Sequence, residues 1–259
     1  MIDEEDFLAG YNMSDYPSVG VTVDLTIFTI RNGQLCILLI KRGDHPHKGK
    51  WALPGGFVNT NESLDDAAAR ELKEETNLTV EDGYLEQLKT YGNPGRDPRG
   101  FVVSTAYVAL APQVERPKAG DDAAEAHFFP VADVLSDDFE LAFDHDVIVH
   151  DGLERVRAKI EYSPIAHHFL EDETFTMSEL RRVYEIVWGV SIIPSNFRRK
   201  LQSVPGLLYE VGTKRTSSIV GGRSSDLYRA GDASEIYPPL RRPGLAKTAL
   251  TAETDCTNS

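Results

Sequence analysis

The chain has 259 residues, enough for two domains, and its 41% apolar content can build real cores. Forty-one acidic against 27 basic residues leave a formal net charge of −14, which argues against nucleic acid or an anionic membrane as a partner of the molecule as a whole unless the charge is unevenly spread. Two cysteines exclude a disulfide framework and fit a reducing cytoplasm, the acidic start lacks the order of a signal peptide, and no apolar run approaches membrane-spanning length, so no membrane partner is expected.

Residues 1–17 are acidic and polar and are expected to form a flexible N-terminus. Val19, Val21, Val23, Leu25 and Ile27 then alternate with smaller or polar residues, the period of a strand. Asn32-Gly33 and a second apolar run over 35–40 predict a type I′ hairpin. Lys41 and Arg42 close that run, either as ordinary strand-end charge or as partners of a phosphate. His45 and His47 in the next loop are too few for a metal site. Gly55-Gly56 permits close backbone approach before the next helix.

That helix carries the strongest signal. Glu71, Glu74 and Glu75 fall at i, i+3 and i+4, so their carboxylates share a face. The patch is either a solvated acidic face or a seat for a hard divalent cation, with Mg²⁺ favoured by carboxylate oxygens. Arg70 stands one turn before Glu74 and can pair with it, while Leu64, Ala67, Ala68 and Leu72 can pack on a sheet. Asn77 suits the left-handed residue of a C-cap. One or two strands over 80–91 lead to a Pro/Gly loop over 92–100 with Arg96, Asp97 and Arg99, which is either solvated or ligand-facing. A long strand over 101–110 follows, and the mixture supports an α/β sandwich. From Leu141 a helical pattern runs through Ile148, Leu153, Val156 and Ile160 and links to a second domain. His145 and His150 on it read as packed or surface residues rather than catalysts.

In that second domain Thr176-Met177-Ser178-Glu179 is a capping box, Gly189 is placed to stop its helix, and Pro194 opens another. Phe197 and Leu201 can face a core, leaving Ser195, Asn196, Arg198, Arg199 and Gln202 outward. Strands at 207–211 and 227–229 flank a loop with Lys214, Arg215 and Arg223. Two helices, a tight turn and a basic hairpin describe a winged helix-turn-helix. Between residues 181 and 229 nine basic residues face three acidic ones, reversing the charge of the whole. Ser195, Asn196, Arg198, Arg199, Lys200, Lys214, Arg215 and Arg223 are therefore candidate contacts to double-stranded DNA, with the second helix in a major groove. The alternative is a helical module that only binds protein or dimerises. From Gly231 on the pattern fades, and 233–259 reads as a disordered tail.

The spacing Gly56-x5-Glu62-x7-Arg70-Glu71-Leu72-x-Glu74-Glu75 resembles the Nudix box, with Asn77 where the family has glycine. The resemblance implies a Nudix α/β/α sandwich over 18–150 and a Mg²⁺ held by Glu71, Glu74, Glu75 and the carbonyl of Gly55, with the same glutamates as candidate catalytic residues. Arg96-Asp97-Pro98-Arg99 resembles the ADP-ribose-handling branch, which makes Arg42, Arg96, Asp97 and Arg99 candidate ligand contacts. Residues 120–130 share that likeness and place Asp121, Asp122 and Glu125 near the site in roles left open. A Nudix box followed by a linker helix and winged helix over 151–232 resembles the NrtR-type regulators of NAD metabolism, chiefly through 175–180 and 196–201. That likeness implies a homodimer that binds ADP-ribose or a related nucleoside diphosphate sugar and leaves its operator when the ligand binds. The expected function is an ADP-ribose-responsive repressor of NAD biosynthesis or salvage genes. The alternative is a Mg²⁺-dependent ADP-ribose pyrophosphatase, kept open because the box glutamates are intact where many such regulators have lost them; both activities can coexist.

Overall fold

A computed structural model describes residues 3–79, 83–112, 123–216 and 224–244. The candidates Asp121, Asp122 and Arg223 lie outside the described residues, as does the tail from 245. The acidic start forms an exposed helix, α1 (Glu4–Gly10), capped by the Asp3 side chain. Strands β1 (Gly20–Arg31) and β2 (Gln34–Arg42) form the expected hairpin. Asn32 and Gly33 take φ of 49° and 75°, the left-handed pair a type I′ turn demands.

β1 is the centre of a mixed sheet. It pairs parallel with β6 (Val102–Leu110) and antiparallel with β2 and the short β4 (Gly55–Phe57). β5 (Tyr84–Tyr91) extends the sheet beyond β6, while β3 (Trp51–Ala52) and β7 (Ala123–Pro130) both pair with β2. Alternation along β1 sends Val23, Leu25 and Ile27 to one face, where Ala67, Ala68 and Leu72 of α2 (Leu64–Thr76) cover them. Phe28, with Ala106 and Val108, faces the other way, against Ile148, Val149, Leu153 and Val156 of α4 (His145–Tyr162). The sheet is thus held between α2 and α4 as an α/β/α sandwich, as expected. Gly152 lets α4 come close, since an added Cβ there would lie 2.8 Å from Thr26 Oγ1. A short helix, α3 (Val131–Val134), follows β7.

The domain border expected at 150/151 falls inside α4, because one helix both covers the sheet and carries the second domain. A 3₁₀ turn (Ile165–Phe169) leads into β8 (Thr174–Thr176), α5 (Met177–Trp188), α6 (Pro194–Gln202), β9 (Leu208–Thr216) and β10 (Ser224–Ala230), with sheet order β8-β10-β9. This is a winged helix. The Thr176–Glu179 capping box is formed in both directions, and Gly189 ends α5 at φ 69°. One core runs without a break from Phe28 through α4 to Phe175, Val183 and Phe197.

Residues 233–244, the described part of the expected disordered tail, are ordered. They lie against α4, with Ile236 and Leu240 buried and their amides donating to the carbonyls of Tyr162 and Glu161. Arg242 donates to Trp188 O and, through its backbone amide, to Glu161. Sparse apolar residues and repeated prolines hid this strap, whose bonds are mostly main-chain. Among the described residues no helix is long and apolar enough to cross a membrane.

Candidate functional site

A cleft of about 220 Å³ opens where β1, β2, β4, the 92–100 loop and the start of α4 meet. Arg42, Gly55, Arg96, Asp97 and Arg99 all line it, so the structure brings the candidate ligand contacts together. They do different work. Arg96 has a side chain only 5% exposed and grips Asp144 through Nε at 3.0 Å and Nη2 at 2.7 Å. Asp97 is buried and accepts from the Arg99 amide (2.9 Å) and guanidinium (2.7 Å). Burial opposes ionisation of Asp97, but the Arg99 hydrogen bonds prevail and hold its carboxyl below the ordinary range. Arg96 and Asp97 thus shape the cleft wall, while Arg42 and Arg99 supply charge nearer the opening. Arg42 Nε donates to Pro46 O at 2.7 Å.

Asp24, Phe57 and Phe143 also line the cleft, though none was among the sequence candidates. Asp24 is buried mid-strand, accepts from Ser104 Oγ, and lies 3.7 Å from both Arg96 Nη2 and His145 Nε2. A charge among the apolar residues of β1 was the available signal. His145 is packed, as expected, and its Nδ1 accepts the Leu53 amide at 2.8 Å. Burial keeps His145 neutral by pulling its pKa below the usual value, which leaves Nε2 as the protonated nitrogen. His150 is exposed on the surface beside Asp151.

The box helix stands behind the cleft floor. Gly56 lines the cleft, and a Cβ added there would come within 2.5 Å of Glu71 Oε1. Glu71 and Glu75 are buried, and the Glu74 side chain is 52% exposed. Arg70 ties the acidic set, reaching Glu71 at 2.7 Å, Glu62 at 2.9 Å and Glu74 at 3.3 Å, the last being the expected i,i+4 pair. Hydrogen bonds from Arg70 hold Glu62 down at about 2, whereas burial raises Glu71 against the pull of Arg70. Among the described residues no three acidic or imidazole groups converge as a ready-made cation cage, and Arg70 bonds Glu71 and Glu74. The donors themselves are hard carboxylate oxygens and the site is kept open by Gly56, which fits a divalent cation once Glu71 and Glu74 turn from Arg70. Glu125 is not among the residues that line the cleft and pairs with Lys41, beside Arg42, at 3.0 Å.

In the winged helix, Phe197 and Leu201 are buried and Tyr184 packs edge-on against Phe197, fixing which side of α6 faces out. Ser195, Asn196, Arg198 and Arg199 lie on its exposed side, with Lys200 half-buried at the edge. Arg199 donates to Asn196 Oδ1 at 3.1 Å. The basic residues of β9 are engaged differently. Lys214 pairs with Asp226 at 3.4 Å, and Arg215 bridges Glu179 (2.8 Å) and Asp172 (2.9 Å), tying the wing to the start of α5.

Comparison with known proteins agrees with this geometry. The NUDIX domain model matches residues 21–151, and the model of the NrtR DNA-binding winged helix domain matches residues 168–230. The ADPR responsive transcriptional repressor NtrR of Acinetobacter baylyi is 38% identical over 230 residues, covering 87% of this chain and 88% of that protein. An ADP-ribose pyrophosphatase of Methanocaldococcus jannaschii is 47% identical over 115 residues, covering 44% of this chain and 64% of its own length. Shewanella oneidensis NrtR complexed with a 27mer DNA superposes with a TM-score of 0.72 at 35% identity, covering 85% of this chain and 99% of that one. The NUDIX domain of the same protein complexed with ADP ribose superposes with a TM-score of 0.54 at 36% identity over 60% of this chain and 99% of that one. With both modules matched in order, and a relative of this identity matched over most of its length, the chain belongs to the Nudix family, in the branch that joins a Nudix domain to an NrtR DNA-binding winged helix domain.

Proposed function

We propose that the chain is an ADP-ribose-responsive, DNA-binding transcriptional repressor of NAD biosynthesis or salvage genes, acting as a homodimer on a double-stranded operator. The observation that carries this reading is one continuous core joining an arginine-lined cleft to a helix whose outward face holds Asn196, Arg198 and Arg199. Arg42 and Arg99 suit the diphosphate of ADP-ribose, since guanidinium groups are strong partners of phosphate oxygens. The exposed side of α6 would enter the major groove, Asn196 and the arginines reaching base edges or phosphates. Arg215 acts as a strut for the wing in this reading rather than as a primary DNA contact, given its two acidic partners. A gel shift on the DNA upstream of its own gene, with and without ADP-ribose, tests the reading: a complex that ADP-ribose dissolves is expected, and no complex in either lane rejects it.

A second reading is favoured by the retention of Glu71, Glu74 and Glu75 together. Under it the Nudix domain hydrolyses ADP-ribose with Mg²⁺, held by the three carboxylates and the Gly55 carbonyl. The ion would polarise the pyrophosphate, and water attack at phosphorus would give AMP and ribose 5-phosphate. Release of those products by the wild type but not by Glu74→Gln is the expected result, and an inert wild type eliminates hydrolysis while leaving the repressor reading standing.

A further inference from the structure

Phe143 has a backbone conformation that its side chain disfavours. Its φ is 55°, and a bulky residue in the left-handed region is held there by its surroundings at some cost. Such strain concentrates at ligand sites, and Phe143 lines the cleft. The residues on either side are fixed: Ala142 donates its amide to Trp51 O at 2.8 Å, and Asp144 holds Arg96. Between these two anchors the chain turns at Phe143, whose ring lines the cleft.

The ring is a shared platform. The Arg42 guanidinium carbon lies 4.9 Å from its centroid and that of Arg99 5.8 Å. Arg99 also lies 5.1 Å from the Phe57 ring. His47 packs edge-on against Phe143 at 4.7 Å and His145 lies at 5.2 Å. An aromatic face attracts a guanidinium from above without competing for its in-plane N–H groups, which bond in their own plane, as Arg99 does with Asp97 and Arg42 with Pro46 O. Two guanidiniums set by one ring suit a ligand with two linked phosphoryl groups better than a lone phosphate.

The geometry points to Phe143 as a positioning and specificity-determining residue for a diphosphate-linked ligand, its ring setting the directions of Arg42 and Arg99. This rests on the reading that the cleft takes ADP-ribose. Asn and Gly both tolerate the left-handed backbone, so Phe143→Asn and Phe143→Gly remove the ring while keeping the turn, and Phe143→Tyr keeps both.

Calorimetric titration of the full-length protein with ADP-ribose and, separately, AMP tests the assignment, alongside melting curves and operator binding without ligand. Phe143→Asn and Phe143→Gly should weaken ADP-ribose about tenfold or more, from the lost cation–π support, but AMP by less than about threefold. Phe143→Tyr should restore ADP-ribose affinity to within about threefold of wild type. Operator affinity without ligand should not change, and the Gly variant keeps the test readable should the Asn variant fail to fold. Equal ADP-ribose affinity in wild type and both ringless variants overturns the assignment while leaving the ligand reading intact. Wild type that binds no ADP-ribose at all overturns both.

Discussion

Asp144 holds the buried guanidinium of Arg96 in a two-point ion pair, at 3.0 and 2.7 Å. The pair joins the loop that carries Arg99 to the residue just before α4, the helix that reaches the winged helix. Removing one partner of a buried pair leaves an uncompensated charge. Asp144→Ala should therefore lower stability by about 3 kcal/mol, the low end for such a loss because Asp24 remains 3.7 Å from Arg96. Urea unfolding measures this, and ADP-ribose affinity should fall with it as the Arg99 loop loosens. A variant as stable as wild type would show that the pair is dispensable.

On the winged helix, Arg198→Ala combined with Arg199→Ala should abolish operator binding and leave ADP-ribose affinity unchanged, because both side chains lie on the outer side of α6. If each arginine meets a phosphate, either single variant should flatten the dependence of log affinity on log salt by about one unit. Phe197→Ala is the contrasting change. Its side chain is 1% exposed beneath the same helix, so the loss should be about 3–5 kcal/mol of stability rather than a contact. Fluorescence anisotropy at several salt concentrations and thermal melts separate the two effects.

At the box, Arg70 pairs with Glu62, Glu71 and Glu74. Chelation of divalent cations should therefore leave melting temperature and ligand-free operator binding unchanged, while ending any hydrolysis of ADP-ribose. Gly56→Ala should act on the same chemistry with little effect on the fold. Its new Cβ would press on the end of the Glu71 side chain, which can swing away at a cost of about 1 kcal/mol but no longer faces the cleft floor. Calorimetry with Mg²⁺ in the presence of ADP-ribose should register weaker binding; unaltered Mg²⁺ affinity would remove Glu71 from the cation site.

Stability should fall as the solution is acidified from about pH 7.5 to about pH 5.5. Burial lowers the pKa of His145, His167 and His168, the last to about 4 with help from neighbouring His167. Below the ordinary histidine value of 6.5 the unfolded chain takes up protons that these folded imidazoles refuse, so the unfolded state gains. The raised pKa of Glu71 acts with the opposite sign. Melting temperatures across that range give the slope, and His168→Gln should make it shallower. A flat profile in wild type would mean the three rings are not buried as neutral groups.

The sequence was most legible where a local rule forces one geometry. Asn32-Gly33, the Thr176 cap, and the buried pair Phe197 and Leu201 all follow from short-range chemistry, and each forms as its residues dictate. β8 was not legible: its three residues run directly into the α5 cap and pair only with distant β10. The cleft was half visible. Arg42, Arg96, Asp97 and Arg99 stood out as charges in loops and at a strand end, yet nothing local distinguishes Arg96, locked to Asp144 across 48 positions, from Arg99. Phe143 and His145 look like ordinary packing residues until the fold sets them beside Arg42 and Asp24. Their roles depend on long-range pairing, which period and propensity do not encode.

In the proposed function one chain senses a diphosphate sugar in its cleft and releases DNA from α6. Fluorescence anisotropy of the wild-type protein on labelled upstream DNA, titrated with ADP-ribose in the presence of a chelator, tests it most directly. A tight complex that dissociates as ADP-ribose is added is expected, with AMP far less effective. An operator complex whose affinity stays constant at saturating ADP-ribose would contradict it.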